Sequence, residues 1–223
     1  MRDILITKAK QLLMELISTP SFSGEEAGTA LLIEEFLKDQ QIEYNKVHYN
    51  IWARNKYFDL SKPTILLNSH HDTVLPNKGY KKDPFRAELS DGKIFGLGSN
   101  DAGGCLVSLM ACFAHFYARK DMKYNLILLA SAEEENSGDK GIRHMIPIMP
   151  DIDFAIVGEP TQMNLAVAEK GLLVLDCYAH GKAGHAAHSK GDNAIYKACL
   201  LYTSPSPRDF SCNRVCRLLR EKG

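Results

Sequence analysis

The sequence has no surplus charge of either sign: 27 lysines and arginines stand against 27 aspartates and glutamates. A balanced chain sets up no global field, so neither nucleic acid nor an anionic membrane is an expected partner. No apolar run is long enough to span a bilayer. The opening Met1-Arg2-Asp3-Ile4-Leu5-Ile6-Thr7-Lys8 is too short and too soon charged for a secretory leader. Cysteine is sparse, six in all, with no CxxC pair and no regular spacing. Cys105, Cys112 and Cys177 sit among apolar residues and are expected as reduced core thiols. Together these absences point to the cytoplasm. No internal repeat is visible. What is there is ordinary for a globular protein, and 223 residues suffice for one domain and part of a second.

Leu5, Ala9, Leu12, Leu13 and Leu16 recur at helical spacing and predict a helix over about residues 2–17, ended by Thr19-Pro20. Ser23 followed by Glu26 has the spacing of a capping box, which would open a second helix running to about Lys38. Residues 43–55 read as a hairpin or two short strands. Three short apolar runs follow: Ile65-Leu66-Leu67, Leu126-Ile127-Leu128-Leu129 and Phe154-Ala155-Ile156-Val157. Such unbroken runs suit strands buried on both faces. A helix is expected between the first two, from about Ala102 to Tyr117, with Leu106, Leu109, Met110, Phe113 and Tyr117 as its core stripe. The fold class is α/β, a mixed, mostly parallel sheet with helices on both faces.

Each apolar run leads within a few residues into possible metal ligands. The first runs into His70-His71-Asp72, the second into Glu133-Glu134-Glu135, the third into Gly158-Glu159-Pro160. Asp101 stands at the entrance of the following helix. Ligands of open α/β sheets bind beyond the carboxyl ends of the strands, so His70, Asp72, Asp101, Glu134, Glu135 and Glu159 are expected in one cleft. In an extended segment His70 and Asp72 share a side, so Asp72 is placed to orient the His70 imidazole while His71 faces away. Adjacent Glu134 and Glu135 point apart, one toward a metal and one toward an attacking water. Taken singly, each has a plainer reading: a polar strand end, a solvated acidic loop, a helix N-cap for Asp101, a turn for Glu159. Gly96-x-Gly98 with Gly103-Gly104 faintly suggests a phosphate loop, but the glycine spacing is wrong and Asp101 would repel a phosphate.

Residues 65–197 resemble the acetylornithine deacetylase / succinyl-diaminopimelate desuccinylase family of dinuclear zinc hydrolases. The resemblance is carried by Ser69-His70-His71-Asp72-Thr73-Val74, Gly96-Leu97-Gly98-Ser99-Asn100-Asp101, Ala132-Glu133-Glu134-Glu135, Val157-Gly158-Glu159-Pro160-Thr161, and Gly184-His185-Ala186-Ala187 with Asn193-Ala194-Ile195. It implies two zinc ions, replaceable by cobalt or manganese, with Asp101 bridging them. His70 and Glu159 would hold one and Glu135 the other. It implies Glu134 as general base, Asp72 as the residue orienting His70, and His185 reaching a partner subunit's site to steady the oxyanion. The implied enzyme is a homodimer acting on a small N-acyl amino acid such as acetylornithine. A dipeptidase or aminopeptidase with the same machinery is the alternative, and a non-catalytic metal-binding scaffold is a reading of another class. A nucleotide-binding protein would instead need phosphate-dependent binding at residues 96–104. Two departures stand out. Gly103 occupies a position where the family often has lysine, and no histidine follows His188 to supply the family's last metal ligand.

The domain reading is a catalytic segment over 1–168, the opening of a dimerisation domain over 169–198, begun by a strand at Leu172–Tyr178, and a non-native tail over 199–223. In that tail, eleven consecutive residues from Cys199 to Asp209 match the translation of a sequencing-library adapter, and Val215-Cys216-Arg217-Leu218-Leu219 matches its outer end. On that reading the chain is cut short and is itself expected to be inactive.

Overall fold

A computed structural model describes residues 2–168, 171, 177–184 and 191–203. The chain falls into two compact units, Met1–Leu165 and Ala166–Gly223. The first begins with helix α1, Arg2–Ser18, whose Leu5, Ala9, Leu12, Leu13 and Leu16 are all buried. Helix α2, Ala27–Asp39, follows. A hairpin of β1 (Asn45–Val47) and β2 (Asn50–Arg54) leads to β3 (Thr64–His70). A small antiparallel pair, β4 (Glu88–Ser90) and β5 (Lys93–Phe95), precedes a wide helical turn at Ser99–Gly103 and helix α3, Gly104–Phe116. Strand β6 (Asn125–Ser131), the short helix α4 (Ile142–Met145) with a 3-10 turn (Ile146–Ile148), and β7 (Phe154–Val157) complete it.

The main sheet runs β1-β2-β6-β3-β7. β6, β3 and β7 are parallel, and the β1–β2 hairpin extends the sheet antiparallel on the β6 side. From β3 the chain crosses through α3 to β6 on one side, then returns past β3 to β7 on the other. β3 is therefore where strand order reverses, the position at which such sheets open a crevice.

All seven residues of β6 are buried, and the period of two explains how. Leu126, Leu128 and Ala130 join Leu67 under α1, α2 and α3, in a core with Leu13, Ile33, Met110 and Phe113. Ile127 and Leu129 face the other way with Leu66, onto Met145 and Met149. Burying one such side chain fully is worth about 1.5–3 kcal/mol, so both helical layers hold β3 and β6 in place.

Several expectations need correction. β7 has the same apolar pattern as β6, yet its four residues are exposed. It is the edge strand, and neither apolar cluster of the described residues includes it. Ser23 and Glu26 form no capping box, because α2 has no side-chain cap and both side chains are engaged elsewhere. Cys112 is exposed and Cys105 and Cys177 are half-buried, so they are not core thiols. The stripe α3 buries is Leu106, Val107, Met110 and Phe113, which leaves Cys105 and Cys112 off its inner face. The β4–β5 pair was not anticipated, although Asp91-Gly92 marks it. Both residues have positive φ, 52° and 72°, as a two-residue hairpin turn demands.

In the second unit, helix α5 spans Ala194–Thr203, and Asn193 Oδ1 caps it by accepting the Ile195 N–H at 2.8 Å. Lys182 and Asp192 form an isolated antiparallel bridge. Most of the expected strand at Leu172–Tyr178, His185, and the tail from residue 204 onward lie outside the described residues.

Candidate metal centre

His70 is the last residue of β3 and is almost fully buried, 1% exposed. Its Nδ1–H donates to the main-chain carbonyl of Asp72 at 2.9 Å, with the Asp72 carboxylate Oδ1 at 3.4 Å. The carbonyl is thus the nearer partner, where the sequence suggested the carboxylate. This contact fixes the tautomer and turns Nε2 outward. Around Nε2 lie Asp101 Oδ1 at 3.2 Å, Glu159 Oε1 at 3.9 Å and Glu134 Oε2 at 4.0 Å. Ligand atoms of His70, Asp101 and Glu159 all fall within 4.8 Å of one another. Glu135 lines, with Asp101, Thr73, Tyr80 and Leu97, a cleft of about 240 Å³ beside this group.

Each acidic group arrives by its own route. Asp101 lies in the turn before α3 with non-helical angles (φ −113°, ψ 98°), and its side chain caps nothing. It is 59% exposed on its side chain, facing His70 rather than the helix axis. The turn needs glycine: at Gly98, φ is 74°, and a Cβ on Gly103 would lie 2.6 Å from the Gly98 carbonyl oxygen. The glycines that hinted at a phosphate loop therefore serve close packing. Glu134 and Glu135 follow β6, and Glu159 follows β7, where Gly158 N–H is held by the Asn68 carbonyl at 2.7 Å.

Asp72 is wholly buried and acts as a hub. Its Oδ1 accepts the Glu134 N–H (3.1 Å), and its Oδ2 accepts the Glu135 N–H (3.0 Å) and the Ser23 hydroxyl (2.7 Å). Burial alone would raise its pKa, but hydrogen bonds from His70, Ser23 and the two amides bring it to about 2. Burial likewise pulls His70 down, yet Asp72, Glu159 and Glu134 outweigh it and raise its pKa to about 9. Burial and the neighbouring carboxylates push both Glu135 and Glu159 upward, with His70 opposing.

His71 points the other way. Its Nε2–H donates to the Tyr49 carbonyl at 3.0 Å, so Nδ1 is the acceptor, 2.9 Å from the Thr29 hydroxyl. Ser21 adds to this network by bonding both Thr29 and the His71 carbonyl. Burial lowers the His71 pKa to about 4. It is a neutral structural residue. The sequence did not reveal Ser21, Ser23, Glu26 or Thr29 as supports of the site, because their partners lie roughly 40 to 110 positions away.

Among the described residues no lysine or arginine pairs with Asp101, Glu134, Glu135 or Glu159. Four carboxylates and one imidazole nitrogen with no fixed cation fit a divalent metal, and the mixed nitrogen and oxygen donors suit zinc, cobalt or manganese.

Residues 66–200 match Peptidase family M20/M25/M40, well over half of the chain. The chain belongs to this family. A succinyl-diaminopimelate desuccinylase of Stenotrophomonas maltophilia (strain K279a) is 28% identical over 201 residues, covering 82% of this chain and 53% of that protein. A LysW-lysine/LysW-ornithine hydrolase of Sulfurisphaera tokodaii is 31% identical over 210 residues, covering 92% and 56%. The chain thus spans about half the length of these curated relatives. Among solved structures, an M20 family metallo-carboxypeptidase from Sulfolobus solfataricus superposes with a TM-score of 0.56 at 24% identity, over 67% of this chain and 37% of that one. Aminopeptidase PepT of Bacillus cereus gives 0.56 at 20%, over 92% and 58%. These two likenesses establish the α/β fold shared with M20 peptidases.

Proposed function

We propose that this chain carries the metal-holding and proton-handling residues of an amide hydrolase acting on N-acyl amino acids, working in the cytoplasm as a homodimer. One observation carries the reading: a single buried imidazole nitrogen, tautomer-fixed, faces carboxylates delivered by three separate segments. His70, Asp101 and Glu159 would hold one metal ion, and Asp101 with Glu135 would hold a second. Bound zinc ions would polarise the scissile carbonyl and bring a water's pKa toward neutrality. Glu134, half-exposed beside the group, takes the proton of the attacking water and returns it to the departing amine. Asp72 holds both the His70 ring and the Glu134–Glu135 backbone. His185, outside the described residues, is assigned to the oxyanion from the sequence resemblance alone, and residues 169–198 to a dimerisation domain on the same ground.

The named relatives, a desuccinylase and a hydrolase of lysine or ornithine conjugates, favour an N-acyl amino acid over a dipeptide. The acyl group is decided by assay. The protein is loaded with zinc and offered acetylornithine, succinyl-diaminopimelate and a dipeptide panel. Hydrolysis of an acyl amino acid supports the reading. Cleavage of dipeptides alone would move it to the peptidase alternative. Metal uptake without turnover of any of these substrates would leave a binding scaffold.

A further inference from the structure

The residue that the site leaves unexplained is Glu26. It is wholly buried, at 0% exposure, immediately before α2. A buried carboxyl is costly unless something holds it. Its Oε1 accepts two main-chain amides, Gly24 N–H at 2.9 Å and Glu133 N–H at 3.0 Å, whereas Oε2 has no hydrogen-bond partner among the described residues. Burial pushes its pKa up, against the amide bonds that favour the charged form.

The amide it holds opens the Glu133-Glu134-Glu135 loop. Glu133 has φ 54°, in the left-handed region that a residue with a side chain enters only when something holds it there. The next two amides, of Glu134 and Glu135, go to the two oxygens of Asp72. Three successive N–H groups are therefore each accepted by a buried carboxyl, Glu26 first and Asp72 for the rest. Ser23 ties the two together, since its hydroxyl donates to Asp72 Oδ2 from the turn that leads into Glu26. The backbone gripped in this way sends Glu134 toward His70 Nε2 and Glu135 to the cleft wall beside Asp101.

We propose that Glu26, supported by Ser23, is a positioning residue for the Glu134 carboxylate: it clamps the start of the loop that Asp72 clamps from the other side. The functional half of this proposal rests on Glu134 being the general base; the clamp itself does not.

The test is amide hydrogen exchange on the 223-residue chain, followed residue by residue. Glu26→Ala should speed exchange at Glu133, Glu134 and Glu135 by about tenfold to a hundredfold, the loss of one or two buried hydrogen bonds, while Leu126–Ala130 in β6 keep their protection. Glu26→Gln, which retains a carbonyl oxygen for both amides, should restore the loop to within about threefold of the wild type. In the active protein, Glu26→Ala should lower kcat by about ten- to a hundredfold with KM and zinc content unchanged, and Glu26→Gln should rescue it. Unaltered loop protection in Glu26→Ala, a glutamine as damaging as alanine, or a loss of zinc in step with kcat would each overturn the proposal. If Glu26→Ala does not fold, Glu26→Gln and Ser23→Ala decide it: the first must leave the loop protected, and the second must speed Glu135 selectively. A wild-type protein that hydrolyses nothing would end the proposed function, while the exchange arm would still decide the clamp.

Discussion

The two sides of the β3 terminus make an instructive contrast. His70 and His71 are neighbours, both buried, and their pKa values sit on opposite sides of neutrality, about 9 and about 4. Burial acts on both in the same sense. The difference lies in what each ring faces: His70 looks onto carboxylates, His71 onto a carbonyl and a hydroxyl. One side of the strand end gathers charge that only a cation balances, and the other is a neutral network that fastens the Ser21–Thr29 segment to the sheet. Function and stability are separated by a single residue because successive strand side chains point to opposite faces.

Substitutions should widen that separation. The largest effect is expected at Glu134. Glu134→Gln should keep the metals and lose turnover by about a thousandfold or more in the active protein, while Glu135→Gln should weaken one metal. Equal activity of the two variants, measured beside their zinc content, would undo the division of labour between adjacent glutamates.

Next comes Asp72, which serves both sides. Asp72→Ala strands two loop amides and the Ser23 hydroxyl in a buried site, and breaking such a set costs about 3–5 kcal/mol. Urea unfolding should show that loss, and zinc affinity should fall with it. On the neutral side, His71→Phe should cost about 1–3 kcal/mol through the unpaired Tyr49 carbonyl and the lost Thr29 hydrogen bond, yet leave zinc binding as it was. A variant that lost zinc as readily as stability would erase the contrast.

The pH dependence of the metal-free chain sharpens it further. The folded pKa of His71 is depressed from 6.5 to about 4, so the unfolded chain binds more protons across that window and stability falls as pH falls through it. Its full extent is on the order of 3 kcal/mol. His70 is raised from 6.5 to about 9, so its contribution is complete below about 6.5 and is lost as pH rises toward 9. Urea midpoints measured from pH 4 to 9 should therefore peak between the two windows. Zinc should abolish the alkaline decline and leave the acid one, and a flat alkaline limb without metal would contradict the His70 surroundings.

Local patterns carried much of this. The α1 stripe, the runs that became β3, β6 and β7, and the acidic or imidazole side chain that follows each strand are all set by neighbours in sequence, so local pattern exposes them. What stayed hidden depends on distant partners. Ser23 and Glu26 look like a helix cap because their spacing suits one, but Asp72 and the Glu133 amide, 49 and 107 positions away, compete for them and win. β7 reads as buried from its composition, and only the strand order shows that it lies at the edge. Cys112 looks apolar by company, yet the helical phase set by Leu106 and Phe113 turns it outward.

The central claim is that His70 Nε2 and the carboxylates around it hold a divalent cation. Imidazole nitrogen resonances of the metal-stripped chain, followed while zinc is added, test it directly. The account predicts that His70 Nε2 takes a metal-bound shift and ceases to titrate near pH 9, while the Nε2–H of His71 stays where it was. A His70 that goes on titrating near pH 9 at saturating zinc, with the shifts appearing at other histidines, would contradict it.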